Sequence, residues 1–247
     1  MTIHHIETTN SCKAQNHEPR SMNHELKIVT TADGSKTIYN AQVGEHYHSR
    51  HGALQESLHV FVNAGLDYFL AKTNVQEASI LEVGFGTGLN FLLSSNYCTR
   101  HQIKLQYTGI EAYPLTADMM AQTGYEQYIP AGLWASYLQH YPDALKNEVS
   151  IDADTQLQIA HCKLMEFKTD QLFDILYFDA FAAVHQPEMW DLPAISHVAQ
   201  FLKPGGVFVT YAITGNLKRM LKSLGFTIQK IPGAPGKREM LRAVKEA

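Results

Sequence analysis

The sequence predicts an open α/β fold with a mainly parallel sheet and helices on both of its faces, and three observations carry that prediction. From residue 78 onward, short apolar runs alternate with helical stretches, the order that builds parallel sheets. Two of the runs, 175–178 and 207–209, are continuous in apolar residues, as strands covered on both faces are. A turn holding Gly84, Gly86 and Gly88 joins one such run to a helix. A chain of 247 residues can bury one substantial core of this kind, so a single domain is expected over 24–247.

Taken in order, residues 1–23 are polar, contain Pro19 and follow neither helical nor strand periodicity, so they are read as a flexible leader. The leader histidines His4, His5 and His17 lack ligand spacing and are read as solvated polar residues. A small N-terminal hairpin is expected from 26–28 and 36–39, which flank Asp33-Gly34, a dipeptide suited to the positive φ of a tight turn. Leu54, Leu58, Phe61 and Val62 fall at helical spacing, and Gly65 reads as the stop of that helix. The main sheet follows in the runs ASILEVGFG, IKLQYTGIEA, LQIAHCKL, FDILYFDAF and GGVFVTYA, with LNFLLSSNYCTR as the first helix between them. The Tyr-rich stretch 114–149 reads as helical and in part as an inserted cap. No internal repeat or linker interrupts the chain.

Composition narrows the class of function. An apolar fraction of 45% with 18% charged residues excludes a disordered or fibrous chain. Cys12, Cys98 and Cys162 form no CxxC pair or metal-ligand grouping, so reduced thiols, no metal site and a cytoplasmic location are expected. No apolar run reaches the roughly 18 residues of a membrane span, and the first residues lack the pattern of a secretory signal. The formal net charge of −4 hides an asymmetry: from Lys203 to the end, nine cations face only Glu239 and Glu246. Such a segregated field steers a polyanion toward one face, although a solvated helix surface has the same composition.

The chemistry is concentrated at the ends of three predicted strands. In Leu81-Glu82-Val83-Gly84-Phe85-Gly86-Thr87-Gly88 the glycines permit a sharp strand-to-helix turn and let a ligand lie against the backbone. Their GxGxG spacing differs from the GxGxxG of nicotinamide-dinucleotide sites, which points to S-adenosylmethionine as the ligand. The next strand ends at Glu111, 23 residues beyond Gly88 and close to the interval of about 20 at which a carboxylate meets ribose hydroxyls. A third strand ends at Asp179. Ligands of open α/β sheets bind at the carboxyl ends of strands, so Glu82, the glycines, Glu111 and Asp179 are expected on one edge. Asp179 is then the candidate catalytic residue, holding an amine and receiving its proton during methyl transfer; its alternative reading is a helix N-cap.

These residues belong to a wider pattern. The segments LEVGFGTGLNFL, FDAFAAVHQPEMW, LKPGGVFVTYA and PGKREML, with YNAQVGEHYHSRHGALQES upstream, resemble the methyltransferase domain of the MnmC-type tRNA-modification enzymes over residues 38–242. The resemblance implies a Rossmann-like class I methyltransferase that converts 5-aminomethyl-2-thiouridine to 5-methylaminomethyl-2-thiouridine at the tRNA wobble position. It implies that Gly84, Gly86 and Gly88 line the cofactor, Glu111 holds its ribose, Asp179 faces the amine and Phe181 flanks the pocket. Lys218, Arg219, Lys222, Lys237 and Arg238 then form a surface for the tRNA anticodon arm, where phosphate contacts supply affinity and the pocket reads a flipped base. Two departures stand out. Where the family carries Gly-Asp toward adenine, this sequence has His161-Cys162, leaving Cys162 and backbone groups to line that part of the cofactor site. Where the family's bifunctional members add an FAD-dependent oxidase, 247 residues leave no room, so the chain is expected to methylate only, with a separate oxidase as partner.

Two other readings use the same residues. A class I methyltransferase acting on a small-molecule amine shares the fold and cofactor, and a catalytically silent RNA-binding protein keeps the sheet without the chemistry. Trp134 and Trp190 are read as core aromatics rather than base-stacking platforms. His46, His48 and His51 have irregular spacing that gives little support to a metal, and Glu45, Tyr47 and Glu56 are drawn toward the site by resemblance alone.

Overall fold

A computed structural model describes residues 26–246, so the leader expected over 1–23 lies outside the described residues. Strands β1 (Leu26–Thr30) and β2 (Lys36–Asn40) pair antiparallel across the Asp33-Gly34 turn, where Gly34 takes φ 85°. The expected hairpin gains a third strand, β3 (Glu45–His46), which pairs with β2. The turn also reaches forward along the chain. Asp33 Oδ2 accepts from the backbone N–H of Gln55, and Ser35 Oγ from that of Ala53, so the hairpin satisfies orphan donors at the start of the next helix.

That helix is a continuous rod of α1 (Ala53–Ser57), a wider π-type run Leu58–Asp67 and α2 (Tyr68–Thr73). Gly65 does not end it. The rod continues to Thr73 and stops at Asn74, which takes the left-handed conformation at φ 54°. Gly65 is instead where the rod lies closest to the sheet: a Cβ there would stand 2.9 Å from Tyr177 Cε1 and 3.0 Å from Val209 Cγ2. The missing side chain sets the packing distance, a reason the periodicity of the sequence does not reveal.

The main sheet has the order β10-β11-β9-β8-β4-β5-β7-β6, built from β4 (Glu77–Val83), β5 (Lys104–Glu111), β6 (Val149–Ser150), β7 (Thr155–His161), β8 (Phe173–Phe178), β9 (Leu202–Thr210), β10 (Phe226–Pro232) and β11 (Glu239–Lys245). β4 pairs parallel with β5 and β8, β5 with β7, and β8 with β9; β6, β10 and β11 join antiparallel at the edges. Strand order reverses at β4, because the chain builds outward through β5 and β7 and then returns to β8 on the other side. In open α/β sheets that reversal opens a crevice at the carboxyl ends of the strands.

Side chains alternate across the sheet as the pleat requires. Ile80, Ile175, Tyr177, Val207 and Val209 pack into one core with the N-terminal rod, α3 (Leu89–His101) and α5 (Ala131–Ala144). Leu81, Val83, Leu176, Phe178 and Phe208 pack into another with α6 (Leu192–Ala199) and α7 (Gly215–Ser223). Helices therefore cover both faces, as the uninterrupted apolar runs predict. The stretch 114–149 holds α4 (Ala117–Ala121) and α5, with Tyr125, Tyr137 and Tyr141 buried and Trp134 packed against Tyr125 and Tyr137. No helix among the described residues is long and apolar enough to cross a membrane.

Candidate active site

The crevice at the reversal point is bounded by three strand ends. The turn 84–88 leaves β4 and starts α3, Glu111 closes β5, and Asp179 follows β8 directly. The Asp179 backbone N–H donates to Val83 O at 2.9 Å, and those of Gly84 and Phe85 donate to Ile110 O, so backbone bonds bring the three ends together. Gly84, Gly86, Gly88, Glu111 and Asp179, scattered over almost a hundred positions of sequence, thus converge on one edge.

Gly86 sits at the middle of the turn. It takes φ 53°, and a Cβ there would meet the ring of Tyr47 at 2.9 Å. Its N–H donates to Glu111 Oε2 at 2.9 Å, while Glu111 Oε1 accepts from Tyr113 N at 2.8 Å. Each oxygen of the carboxylate holds one backbone donor and keeps further acceptor capacity, which suits a vicinal diol. Burial raises the pKa of Glu111 above the usual carboxylate value, against the lowering effect of the backbone donors. A bare backbone turn beside a half-free carboxylate is a cradle that fits the ribose end of S-adenosylmethionine.

Glu82 stands beneath this edge rather than in it. It is fully buried, with Oε1 accepting from Asn90 Nδ2 and Oε2 from Tyr107 OH, both at 2.8 Å. Asn90, in the first turn of α3, also donates Nδ2 to Asp179 Oδ2 at 2.8 Å, so one amide bridges the two acids. Glu82 therefore reaches the crevice only through Asn90. Burial, reinforced by the Asp179 charge, drives Glu82 well above the carboxylate range. Glu82→Gln, which preserves shape, is expected to cost less than about 1 kcal/mol in denaturant unfolding, whereas Glu82→Ala opens a cavity and strips two buried donors of their acceptor, at about 2–5 kcal/mol. Equal losses in the two variants would show that Glu82 is ionised.

Asp179 is pushed up to about 8, first by burial and then by the charge of Glu56, with the Asn90 hydrogen bond and Lys237 pulling the other way and Glu45 adding to the rise. A carboxyl so tuned exchanges protons readily near neutral pH. Aromatic rings stand beside it. Phe181 meets Tyr47 edge-on at 5.1 Å between centroids, and Trp190 Nε1 donates to Phe181 O at 2.7 Å. Trp190 is buried against Phe178, so its place is in the core, and its indole N–H fixes the backbone that presents Phe181. From the first sheet, Glu45 Oε2 accepts from Ala182 N at 2.8 Å and holds the loop after β8.

The remaining candidates separate. Cys162 is buried just beyond the end of β7, in strand register one place past His161, which pairs with Glu111. Lys218, Arg219 and Lys222 lie on α7, which Thr214 caps by accepting from Leu217 N, opposite the buried Leu217, Met220 and Leu221. Arg219, Lys222 and Arg238 are exposed. Lys237 departs from the surface role expected of it: its ammonium donates to Glu56 Oε1 at 2.6 Å and lies 3.8 Å from the centroid of Tyr211. It belongs to the crevice. Sequence reasoning also missed Asn90, whose one signal is an amide set among the apolar residues of α3 directly after the glycine turn. His48 is buried beside Thr37 and His51 packs against the turn at Gly236; among the described residues no group of His, Cys, Asp and Glu is arranged to hold a metal.

Residues 130–246 match the family model of S-adenosyl-L-methionine-dependent methyltransferases. Over 222 residues, 85% of this chain, the sequence is 31% identical to the tRNA 5-methylaminomethyl-2-thiouridine biosynthesis bifunctional protein MnmC of Chromohalobacter salexigens. Over 214 residues, 82% of this chain, it is 31% identical to the protein of the same name from Methylobacillus flagellatus. Those matches cover 31% and 33% of the two relatives, so the chain spans about a third of the length of the curated relatives it matches. Among solved structures, MNMC2 from Aquifex aeolicus shares the fold, with a TM-score of 0.71 over 88% of this chain and 70% of that one at 23% identity.

Proposed function

We propose that this chain, an S-adenosylmethionine-dependent methyltransferase related to the MnmC proteins, methylates the amine of 5-aminomethyl-2-thiouridine at the wobble position of tRNA. The observation that carries the reading is Asp179, a carboxyl at the end of β8 with a pKa pushed up to about 8, beside the glycine turn and two residues before Phe181, whose ring meets Tyr47. S-adenosylmethionine supplies an activated methyl group on a sulfonium. Glu111 would hold the ribose hydroxyls, and the positive-φ turn of Gly84, Gly86 and Gly88 would bring backbone against the cofactor; Cys162, buried beyond β7, would border the adenine side. Asp179 accepts a hydrogen bond from the substrate amine and holds its lone pair toward the methyl carbon. The amine nitrogen that takes the methyl would become cationic, and Asp179 is the group that would receive its proton.

Phe181 and Tyr47 offer faces on which an extruded base stacks. Lys218, Arg219, Lys222 and Arg238 supply phosphate contacts to the anticodon arm, with an affinity that falls as salt rises. A cytoplasmic location follows from such a substrate, and a separate FAD-dependent oxidase is the partner where a carboxymethyl group must first be removed from the uridine. A second reading, methylation of a small amine, is favoured by Glu45 beside Asp179, an acid that attracts a compact cation.

The test is a nucleoside mass-spectrometric assay with methyl-labelled S-adenosylmethionine and tRNA bearing 5-aminomethyl-2-thiouridine. Label in 5-methylaminomethyl-2-thiouridine, lost on charge reversal of Lys218, Arg219 and Lys222, is the expected result. Cofactor binding without label in tRNA turns the assignment to small amines. Failure to bind S-adenosylmethionine at all would leave a silent RNA-binding protein of this fold.

A further inference from the structure

Four parts of the chain meet around Asp179 with their charges only partly balanced. Glu56, from α1, is 7% exposed; its Oε2 accepts from Ser49 N at 2.8 Å and its Oε1 from Lys237 Nζ at 2.6 Å. Lys237 comes from the turn between β10 and β11, and its ammonium also lies over the ring of Tyr211, at the end of β9. Tyr211 OH in turn donates at 2.8 Å to the carbonyl of Ala180, the residue after Asp179. The titratable groups facing Asp179 are Glu56 from α1, Glu45 from β3, Glu82 from β4, Tyr107 from β5 and Tyr211 from β9, and the cation set among them is Lys237.

We propose that Lys237 is a positioning residue: by neutralising Glu56 it keeps the Asp179 carboxyl able to ionise and so to take up the substrate's proton. The argument is one of sign. Glu56 is held in place by Ser49, and with no cation beside it its charge acts unopposed on the half-buried Asp179 carboxyl and favours the protonated form. The ammonium over Tyr211 is itself fixed, since a cation on a ring face and on a carboxylate has little freedom to leave. The turn between β10 and β11 thereby acts on chemistry carried out at β8.

This inference rests on Asp179 as the proton acceptor, and its test is independent of the substrate. Protein labelled with 13C at the aspartate carboxyls is titrated by NMR, and the Asp179 resonance is assigned by its loss in Asp179→Asn. The wild-type midpoint is expected near 8. Lys237→Met is expected to raise it by on the order of one pH unit, Lys237→Arg to restore it, and Glu56→Gln to lower it. An unmoved midpoint in Lys237→Met, or in Glu56→Gln where the lysine variant does not fold, overturns the role of Lys237. Shifted midpoints in a protein that leaves the thiouridine unmethylated uphold the electrostatic coupling and fail the substrate assignment alone.

Discussion

Asp179→Ala is expected to reduce the rate of methyl transfer about 10²- to 10⁴-fold while S-adenosylmethionine binds with unchanged affinity by calorimetry. The side chain meets Asn90 at the end of β8, whereas the proposed cradle for the cofactor is the turn 84–88 with Glu111, so its removal would take away the proposed proton acceptor and leave that cradle. The pH dependence carries its own signature. Because Asp179 ionises near 8, the wild-type rate is expected to rise as pH passes through that value, and the alanine variant to lack the rise. Stability runs in the opposite sense. A carboxyl raised from 3.8 to about 8 binds its proton more tightly in the folded chain, so its contribution is complete below about 4 and is lost as pH rises through about 8. Asp179→Asn is expected to flatten that decline in thermal melts. Unchanged turnover in Asp179→Ala would remove the amine from this carboxylate.

Gly86→Val is expected to abolish both binding and turnover, with S-adenosylmethionine affinity falling at least about 100-fold, or about 2.7 kcal/mol. Gly86 takes φ 53°, which a β-branched residue adopts only under strain, and a Cβ would stand 2.9 Å from the ring of Tyr47. Relief requires the turn or Tyr47 to move, and the turn carries the N–H that Gly86 gives to Glu111. The measurement is calorimetric titration of the variant, with circular dichroism establishing that the sheet remains folded. Tight binding by the valine variant would place the cofactor away from this turn. Together the two substitutions separate holding the methyl donor from receiving the proton.

Much of this arrangement was legible in the chain itself. Continuous apolar runs at 175–178 and 207–209 announced strands covered on both faces, because a backbone buried from two sides has no use for alternating polar residues. The glycine turn, Glu111 and Asp179 could be placed on one edge before any coordinate, since parallel strands joined by right-handed crossovers bring their carboxyl ends to the same side. Local turn chemistry likewise marked the hairpin at Asp33-Gly34.

What the tertiary structure alone decided concerns partners distant in sequence. Gly65 read as a helix stop because a glycine after apolar periodicity commonly is one; only the approach of Tyr177 and Val209 shows that it serves close packing inside the rod. Lys237 read as one more cation of a basic tail, since nothing near it in sequence tells that Glu56, on α1, and Tyr211, at the end of β9, take up its charge. Asn90 and Glu82 gained their connection to Asp179 in the same way, through an amide that two strands and a helix bring within 2.8 Å of both acids. Periodicity and turn chemistry are local properties that a sequence states directly, and they determined the fold and the edge where the three strand ends converge. Charge pairing and the ionisation of buried carboxyls depend on distances across the fold, which are fixed only when the chain has closed on itself.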